Sequence, residues 1–328
     1  MQQIIQDLRD AIQQDSVSKI DMLLQQLGKT PFINEEKPTP YDEAVSIIYY
    51  LQNVYYQTIG RLYNDVNQLF FTESNPLKSP IIQLGFWPGG DRDGNPFVTA
   101  EITWKVASLL RTSILKVYYK HLKIVQRRLT FKHVSQPLKE LNDLIYKNMF
   151  DENGTIYLDD IKVRLQRIRT ILIEEHNGIF LNILDDFIMR VEIFGLHFAS
   201  LDIRQDSRIH QKVINQIVEK YTGINLENVT ESEKIEILTN PQFIAKPEDF
   251  EEDIVIDTIK NVYQLKDIQK RNGETGVNRY IISNSETIFD VLNVYALFKF
   301  CGYQDEEIKF DIMPLFETIR GLDGAENT

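Results

Sequence analysis

The sequence predicts an α-rich α/β fold, in which long helices surround a few short, buried strands. Apolar residues recur at helical spacing over most of the 328-residue chain. Four short apolar runs interrupt this pattern, and glycine, proline or polar turn residues bound each of them. Since 43% of the residues are hydrophobic, the chain can bury a sizeable core, and the composition excludes a disordered protein.

The N-terminal part is predicted to be a helical lead-in over residues 1–79. Its first helices carry their apolar residues at helical spacing, namely Ile4, Ile5, Leu8, Ile12, Ile20, Leu23, Leu24 and Leu27. Thr39 can then cap a helix that begins at Pro40, because proline suits the first helical position. We expect this helix to continue to about Phe71.

Several further helices are predicted after the first apolar run. Thr99 is the expected N-cap of the first of them. In the last one, Thr287 and Asp290 have the spacing of a capping box, and Gly302 follows its end. The helices after the first are expected near residues 137–149, 158–186, 207–221, 230–239, 249–271 and 286–301.

The four apolar runs are predicted to be strands. They are PIIQLGFW (80–87), VEIFGLHFASLDI (191–203, with its strand over 194–203), YIIS (280–283) and FDIMPLF (310–316). Continuous apolar runs that alternate with long helices are typical of buried parallel strands. The chain has no internal repeat and no linker rich in Gly, Ser or Pro. We therefore expect one unit over 1–328, with the β/α part over 80–328.

Charge and cysteine content exclude several classes of protein. The formal net charge of −12 opposes nucleic-acid binding, although a local basic patch can still bind an anion. The single cysteine, Cys301, excludes an intrachain disulfide framework and a cysteine-based zinc site. We find neither a signal peptide nor a window that is long and apolar enough to span a membrane. These features predict a cytoplasmic protein without membrane or nucleic-acid partners.

Charged side chains follow three of the four predicted strands. Arg204 leaves the second strand, and Glu317 follows the fourth. Arg92 follows the first strand within a glycine-rich loop, whose other residues are Gly89, Gly90, Asp91, Asp93 and Gly94. The C-terminal ends of parallel strands form the site face of β/α proteins. We therefore expect both arginines and Glu317 to meet at one rim, with the neighbouring aspartates holding Arg92.

These residue types suit an anion and a metal ion, but each also has a simpler interpretation. Arginine binds phosphate or carboxylate groups through two parallel hydrogen bonds, and glutamate is a ligand for Mg²⁺ or Mn²⁺. An Asp-Arg-Asp triplet, however, often consists of solvated charges that brace a turn. Glu317 can equally cap the helix that follows it. The functional interpretation depends on all of these residues lying at strand ends.

Five segments together resemble phosphoenolpyruvate carboxylases, in the same order and at similar spacing. They are KPTPYDEA (37–44), GGDRDGNPFVTAEIT (89–103), SLDIRQDSRIH (200–210), YIISNSETIFDVLNVYALFK (280–299) and MPLFETIRGLDGA (313–325). The resemblance extends over nearly the whole chain. Each motif alone is modest, but the set is specific.

The resemblance implies a fold, a reaction and roles for individual residues. The fold would be an α-rich elaboration of a (β/α)8 TIM-type barrel, of which this chain would hold about strands two to five. The reaction would join phosphoenolpyruvate and bicarbonate to give oxaloacetate and phosphate, with Mg²⁺ or Mn²⁺. Arg204 would contact the substrate phosphate, and Glu317 would be one of two metal carboxylates. Arg92 would lie beside the same pocket.

Several motifs of the family are missing from the chain. A TAHPT-type histidine motif does not precede residues 37–44, and the chain ends before the second metal carboxylate and a late basic loop. We therefore expect a partial barrel that is inactive alone and belongs to a longer, usually tetrameric, carboxy-lyase. Its open strand edges would favour self-association. Two alternatives remain open, namely a non-catalytic binding or regulatory module and a helical scaffold.

Overall fold

The computed structural model describes residues 2–31, 37–70, 81–151 and 156–327, which are mainly helical. The α-helices are α1 (Gln2–Gln13), α2 (Val17–Lys29), α3 (Pro40–Tyr50), α4 (Tyr56–Phe70), α5 (Ala100–Arg128), α6 (Ser135–Met149), α7 (Leu158–His176), α8 (Leu181–Phe194), α9 (Ser207–Thr222), α10 (Glu231–Thr239), α11 (Asp253–Asn272), α12 (Ile288–Phe300) and α13 (Ile319–Gly324). A π-helical segment, Leu51–Tyr55, joins α3 to α4. Short 3-10 helices cover Pro247–Asp249, Glu274–Gly276, Asp305–Glu307 and Ala325–Asn327. Within the described ranges, no helix has both the length and the apolar composition needed to cross a bilayer.

Two compact units are present, Met1–Thr39 and Pro40–Thr328. In the first unit, α1 and α2 enclose a small apolar cluster built on Ile4, Ala11 and Leu23. The second unit holds the strands and the large core. That the whole chain works as one unit, with a helical lead-in, stays a prediction.

The strands of the second unit are short and pair in parallel. They are β1 (Gly85–Phe86), β2 (Ser200–Leu201), β3 (Ile203–Asp206), β4 (Arg279–Ser283) and β5 (Asp311–Pro314). β1 pairs with β2, and β3, β4 and β5 form a second sheet in that order. Every pair is parallel, which confirms the orientation predicted from the apolar runs.

Backbone hydrogen bonds connect the two sheets across the single residue between β2 and β3. The Arg204 N–H donates to the Gly90 carbonyl at 3.0 Å, and the Arg92 N–H donates to the Arg204 carbonyl at 2.8 Å. The segment after β1 therefore continues alongside β3. As a result, the strands follow one another across the sheet in the same order as in the chain.

Two predicted strands and one predicted helix differ from the structure. Of the strand expected over 80–87, only Gly85–Phe86 is a strand among the described residues. Of the strand expected over 194–203, Phe194 is instead the last residue of α8, and residues 195–199 form turns and bends before β2. A segment that is apolar at every position shows neither the 3.6-residue period of a helix nor the two-residue period of a strand. The sequence pattern therefore misplaced the boundary between α8 and the strand. The helix expected over 158–186 is divided into α7 and α8, because Asn177 adopts a left-handed conformation with φ of 50°.

Most other helix signals are confirmed at the level of individual hydrogen bonds. The Thr99 hydroxyl accepts the backbone N–H of Ile102, which caps α5. Thr287 and Asp290 form the predicted capping box of α12. The predicted ends at Phe71 and Pro80 lie outside the described residues.

One face of the sheet packs against helices. The opposite face, here called the polar face, carries charged residues together with the apolar Ile281 and Met313. On the packed face, Leu201, Ile203 and Ile282 are fully buried and Tyr280 is 1% exposed. Burying an aliphatic side chain of this size contributes about 1.5–3 kcal/mol, so these contacts fix the position of each strand. Because side chains alternate along a strand, the residues between them point to the opposite face.

Candidate functional site

The polar face of the sheet carries charged residues at successive levels along the strands. Asp202 and Arg204 alternate with the buried Leu201 and Ile203, so both project from this face. The Arg279 Nε donates to Asp202 Oδ1 at 2.6 Å. Burial raises the pKa of Asp202, and the Arg279 guanidinium opposes that rise. Arg204 lies one level closer to the C-terminal ends of the strands.

The glycines of the loop after β1 allow it to lie directly against β3. A side chain at Gly90 would place its Cβ only 2.0 Å from the Asp202 carbonyl oxygen. Gly89 has a φ of +82°, and a Cβ there would lie 2.6 Å from Val106 of α5. The Thr103 hydroxyl donates to the Gly89 carbonyl at 2.6 Å. Close approach of two backbones is a reason to require glycine. Here the close approach determines the position along β3 of the residues that follow Gly90.

Three carboxylates surround Arg204 at the rim of the sheet. Its Nη1 lies 3.5 Å from Asp91 Oδ2. Its Nη2 lies 3.1 Å from Asp93 Oδ2 and 3.3 Å from Glu317 Oε1. Burial raises the pKa of Asp91, while the Asp93 backbone N–H and the Arg204 charge lower it. The cluster therefore contains three carboxylates and one guanidinium, and negative charge is in excess.

Arg92 lies on the opposite side of the loop from Arg204. Its side chain is buried and forms an ion pair with Asp257 of α11. Asp257 also accepts the backbone N–H of Ala100, at 3.0 Å, and so helps to cap α5. The expectation that the neighbouring aspartates hold Arg92 was wrong, because alternation directs Asp91 and Asp93 to Arg204 instead. The substrate-binding role assigned to Arg92 stays a prediction.

Glu317 reaches the same rim as Arg204, as the strand ends predicted. It follows β5, and its carboxylate contacts the Arg204 guanidinium. It does not cap α13, because the Thr318 hydroxyl accepts the N–H of Gly321 at 2.9 Å and supplies that cap. The roles of Arg204 in phosphate binding and of Glu317 in metal binding stay predictions.

A cavity of about 310 Å³ lies beside this cluster. Asp91, Asp202 and Arg204 form its polar wall, whereas Trp87, Met313 and Leu315 belong to its apolar wall. Trp87 is 62% exposed although it is a large apolar residue. A cavity with one charged and one apolar wall suits a small anion that also carries an apolar carbon group.

The described residues do not provide a complete site for a divalent cation. No cluster of three or more His, Cys, Asp or Glu side chains in the described ranges is arranged to hold a metal ion. Glu317 contacts a guanidinium, and Asp91 and Asp93 contact the same cation. Mg²⁺ needs several oxygen ligands in octahedral geometry. These residues alone therefore do not fit the metal, and no step of the chemistry is assigned to it.

Two important residues of this region had little or no signal in the sequence. Asp257 is one of many acidic residues on an amphipathic helix, so its pairing with Arg92 depends on tertiary contact. Asp202 had a weak signal, since it precedes Arg204 by two positions in the same strand and therefore shares its face.

The fold and the site define a class of protein, in which parallel strands alternate with helices and a charged cluster lies at the strand ends. Comparison with known proteins then identifies the family. The family model described as phosphoenolpyruvate carboxylase matches residues 1–153 and 147–328. The chain belongs to the phosphoenolpyruvate carboxylase family.

Curated relatives named phosphoenolpyruvate carboxylase match almost the full chain at low identity. The Vibrio parahaemolyticus relative is 28% identical over 98% of this chain. The Synechococcus relative is 27% identical over 90% of the chain, and the Acinetobacter baumannii relative is 26% identical over 98%. The chain spans 40% of the length of the Vibrio and Acinetobacter relatives and 34% of the Synechococcus relative.

Proposed function

We propose that this chain supplies the arginine side of a phosphoenolpyruvate carboxylase active site. The observation that carries the proposal is the meeting of Arg204, within β3, and Glu317, just after β5, with Nη2 and Oε1 3.3 Å apart. Both residues belong to motifs by which the sequence resembles the family. The substrates would be phosphoenolpyruvate and bicarbonate, and the products oxaloacetate and phosphate.

Arg204 is suited to exchange its carboxylate partners for a phosphate group. Its three contacts, at 3.1–3.5 Å, are longer than the 2.7–2.9 Å typical of strong charge-assisted hydrogen bonds. Its Nε is buried and has no hydrogen-bond partner among the described residues. A phosphate that accepts from this guanidinium would hold the substrate, while the apolar wall with Trp87 and Leu315 would contact its carbon atoms.

The rest of the site would come from outside the described residues. In this proposal the sheet is part of a TIM-type barrel, and the protein is cytoplasmic. Glu317 would be one of several ligands to Mg²⁺ or Mn²⁺. The strand order supports a barrel, since successive parallel strands are neighbours in such folds. Among the described strands β5 pairs only with β4, so a further strand would pair with its other edge. The assembled enzyme would be a homo-oligomer.

The isolated 328-residue chain is expected to lack carboxylase activity. No histidine is among the described residues that line the cavity, and the described residues provide no complete metal site. Oxaloacetate formation should be measured with malate dehydrogenase and NADH, in the presence of Mg²⁺, bicarbonate and phosphoenolpyruvate. Turnover that depends on Arg204 and exceeds the background rate would contradict this expectation.

Substrate binding can be tested independently of turnover. Phosphoenolpyruvate should bind the chain weakly in isothermal titration calorimetry, and Arg204→Ala should lower its affinity at least about tenfold. Arg208→Ala is the matched control, because it removes a nearby cation that is largely exposed and paired with Asp206. Equal losses in both variants would show general electrostatic attraction and would contradict a specific phosphate site at Arg204.

A non-catalytic binding module is the second candidate function. Three carboxylates surround Arg204 and partly neutralise its positive charge, and no other cation of the described residues compensates for them in these contacts. This excess of negative charge favours the second candidate. The two candidates differ in one measurement. Addition of the remaining segments of the relatives should restore turnover if the chain is part of an enzyme, and should not do so for a module that only binds.

A further inference from the structure

A second cavity in the larger unit lies between helices rather than at the strand ends. It has a volume of about 660 Å³, compared with about 310 Å³ for the cavity beside Arg204. Its walls come from the start of α3, the N-terminal half of α5 and the C-terminal ends of α6 and α11. The described residues that line it are all different from those that line the cavity beside Arg204. The two cavities are therefore separate, and we call the larger one the helical cavity.

Arg271 of α11 is held in position within the helical cavity. Its Cζ lies 4.7 Å from the centre of the Trp104 ring, and its Nη1 donates to the Ser108 hydroxyl at 3.1 Å. Trp104 and Ser108 are four residues apart on α5, so they share one face of that helix. A guanidinium has five N–H donors, so it can bind a ligand carboxylate in addition to its present partners. Because Arg271 is already stacked and hydrogen-bonded, little side-chain entropy is lost when it does so.

Asp151 gives the helical cavity a negative charge close to this guanidinium. It lies two residues after the end of α6 and lines the same cavity. Burial and the Arg271 charge lower the pKa of the Arg111 side chain to about 10, whereas Asp151 opposes this shift. Because charge interactions weaken with distance, Arg271 and Asp151 both lie near the buried Arg111. The cavity wall therefore offers a cation and a carboxylate close together.

A second cation lies at the solvent side of the helical cavity. The Lys105 side chain is 52% exposed and pairs with Glu101, which is 73% exposed. Because an exposed ion pair contributes little binding energy, Lys105 adds long-range attraction for an anion rather than a fixed contact.

Aromatic side chains form much of the remaining wall. Tyr41, Trp104 and Phe150 line the helical cavity. Phe150 is 67% exposed, and its ring contacts Tyr146 edge to face, with centroids 5.6 Å apart. A flat ring in the cavity would cover this exposed apolar area and could pack edge to face or offset against these rings. The cavity therefore suits a ligand that has an aromatic ring next to its charged groups.

We propose that the helical cavity binds a free α-amino acid with an aromatic side chain. The ligand carboxylate accepts from Arg271, the ligand ammonium group donates to Asp151, and the ring packs against the aromatic wall. This ligand uses all three kinds of group in the cavity, whereas a simple anion or a nucleotide phosphate brings negative charge towards Asp151. The inference does not rest on the proposed function, because the helical cavity is separate from Arg204.

The first test compares four small molecules by isothermal titration calorimetry with the 328-residue chain. L-Phenylalanine carries all three groups. 3-Phenylpropanoate lacks the ammonium group, 2-phenylethylamine lacks the carboxylate, and L-alanine lacks the ring. Each of these three should bind at least about tenfold more weakly than L-phenylalanine, because each loses one charge-assisted contact or the ring contact.

The second test assigns the ammonium contact to one side chain. Asp151→Asn should weaken L-phenylalanine at least about tenfold but leave 3-phenylpropanoate unchanged, since the latter has no ammonium group. Asp143→Asn is the matched control, because it removes the same charge from an exposed position of α6 outside the cavity. It should bind all four molecules like the wild type.

The third test concerns the carboxylate contact. Arg271→Gln should bind L-phenylalanine no better than 2-phenylethylamine, whereas the control Lys270→Gln, at an exposed neighbouring position, should keep the wild-type preference. Should Arg271→Gln fail to fold, the comparison of ligands in Asp151→Asn still decides the question. Arg204→Ala should bind L-phenylalanine like the wild type, which distinguishes this site from the proposed active site.

Four results would overturn the proposal. They are the absence of saturable L-phenylalanine binding, equal affinities for the four molecules, an unchanged L-phenylalanine affinity in Asp151→Asn, and a loss of L-phenylalanine binding in Arg204→Ala. AMP that binds more tightly than L-phenylalanine and depends on Arg271 would also overturn it, because the cavity would then be a nucleotide site.

Discussion

Arg92 and Arg204 lie on adjacent, paired segments of the same sheet, yet their surroundings are opposite. The Arg92 side chain is 3% exposed and pairs with one carboxylate, Asp257, which also caps a helix. The Arg204 side chain is 29% exposed and contacts three carboxylates at a cavity. Arg92 connects the loop to the surrounding helices, whereas Arg204 faces the cavity.

This difference teaches that neighbouring charges in a loop need not act together. Asp91, Arg92 and Asp93 are consecutive, but extended backbone directs alternate side chains to opposite faces. The two aspartates therefore reach Arg204, and the arginine between them reaches α11. The loop connects the outer helices to the site, so changes on the two sides should affect different properties of the protein.

The largest expected effect is a loss of stability on the buried side. Asp257→Ala leaves the Arg92 guanidinium buried without a carboxylate, and it also removes an acceptor for the Ala100 N–H. Removing one partner of a buried ion pair costs about 3 kcal/mol or more. Urea denaturation should therefore show a decrease of about 3 kcal/mol in the free energy of unfolding.

The matched change on the site side should cost much less. Asp93→Ala removes one of three carboxylates around the partly exposed Arg204, so its cost should be below about 1 kcal/mol. Equal losses for Asp257→Ala and Asp93→Ala would contradict the division of the loop into a structural side and a site side.

The next largest effect should come from the glycine that allows the loop to approach β3. Gly90→Ala would force a Cβ against the Asp202 carbonyl oxygen, and neither backbone can move freely. Overpacking of this kind costs about 1–3 kcal/mol. We expect a lower melting temperature together with weaker phosphoenolpyruvate binding in calorimetry, since the loop also positions the carboxylates around Arg204.

Gly94→Ala is the control for this substitution. Gly94 has a φ of +67° but open space around the position of a Cβ, so only backbone strain is added. That strain costs about 1 kcal/mol. A larger destabilisation by Gly94→Ala than by Gly90→Ala would contradict the role of close backbone approach.

A smaller effect on stability is expected when Arg204 itself is removed. Arg204→Ala should change the free energy of unfolding by less than about 1 kcal/mol, because its partners are partly exposed. Urea denaturation next to Asp257→Ala measures the contrast directly. A loss as large as that of Asp257→Ala would mean that Arg204 has a structural rather than a binding role.

The smallest effect concerns the pH dependence of stability. Burial raises the pKa of Asp91 in the folded protein above its usual value of 3.8. The folded state then holds the proton more tightly than the unfolded state, so ionisation of Asp91 reduces stability as the pH rises from the unfolded pKa through the folded pKa. Asp91→Asn cannot ionise, and its stability relative to the wild type should therefore increase from pH 4 to pH 7.

Urea denaturation at the two pH values measures this difference. Asp206→Asn provides a contrast of opposite sign, because the Arg208 guanidinium lowers the pKa of Asp206. A folded pKa below the unfolded one stabilises the protein above the unfolded pKa, and this contribution is lost as the pH falls. Asp206→Asn should therefore lose stability relative to the wild type from pH 4 to pH 7. The same trend in both variants would contradict the assignment for Asp91.

The sequence alone determined the class of fold and most of its local boundaries. Thr99 and Thr287 predicted helix starts because a hydroxyl that accepts a backbone N–H acts within a few residues. The apolar runs predicted parallel strands, since only strands covered by helices are apolar along their whole length. The sequence also predicted that Glu317 follows a strand, whereas Arg204, expected just beyond its strand, lies within β3. The motifs of the sequence resemble those of the family to which the chain belongs.

Only the tertiary structure decided which charges meet. The end of α8 at Phe194 and the direction of Arg92 both depend on what packs around a short segment, which has no local signal. Asp257 reaches Arg92 across 165 positions of the chain, and Arg204 reaches Glu317 across 113. Local hydrogen bonds and periodicity act over a few residues, whereas the pairing of buried charges depends on the register of strands and the packing of helices, which exist only in the folded chain.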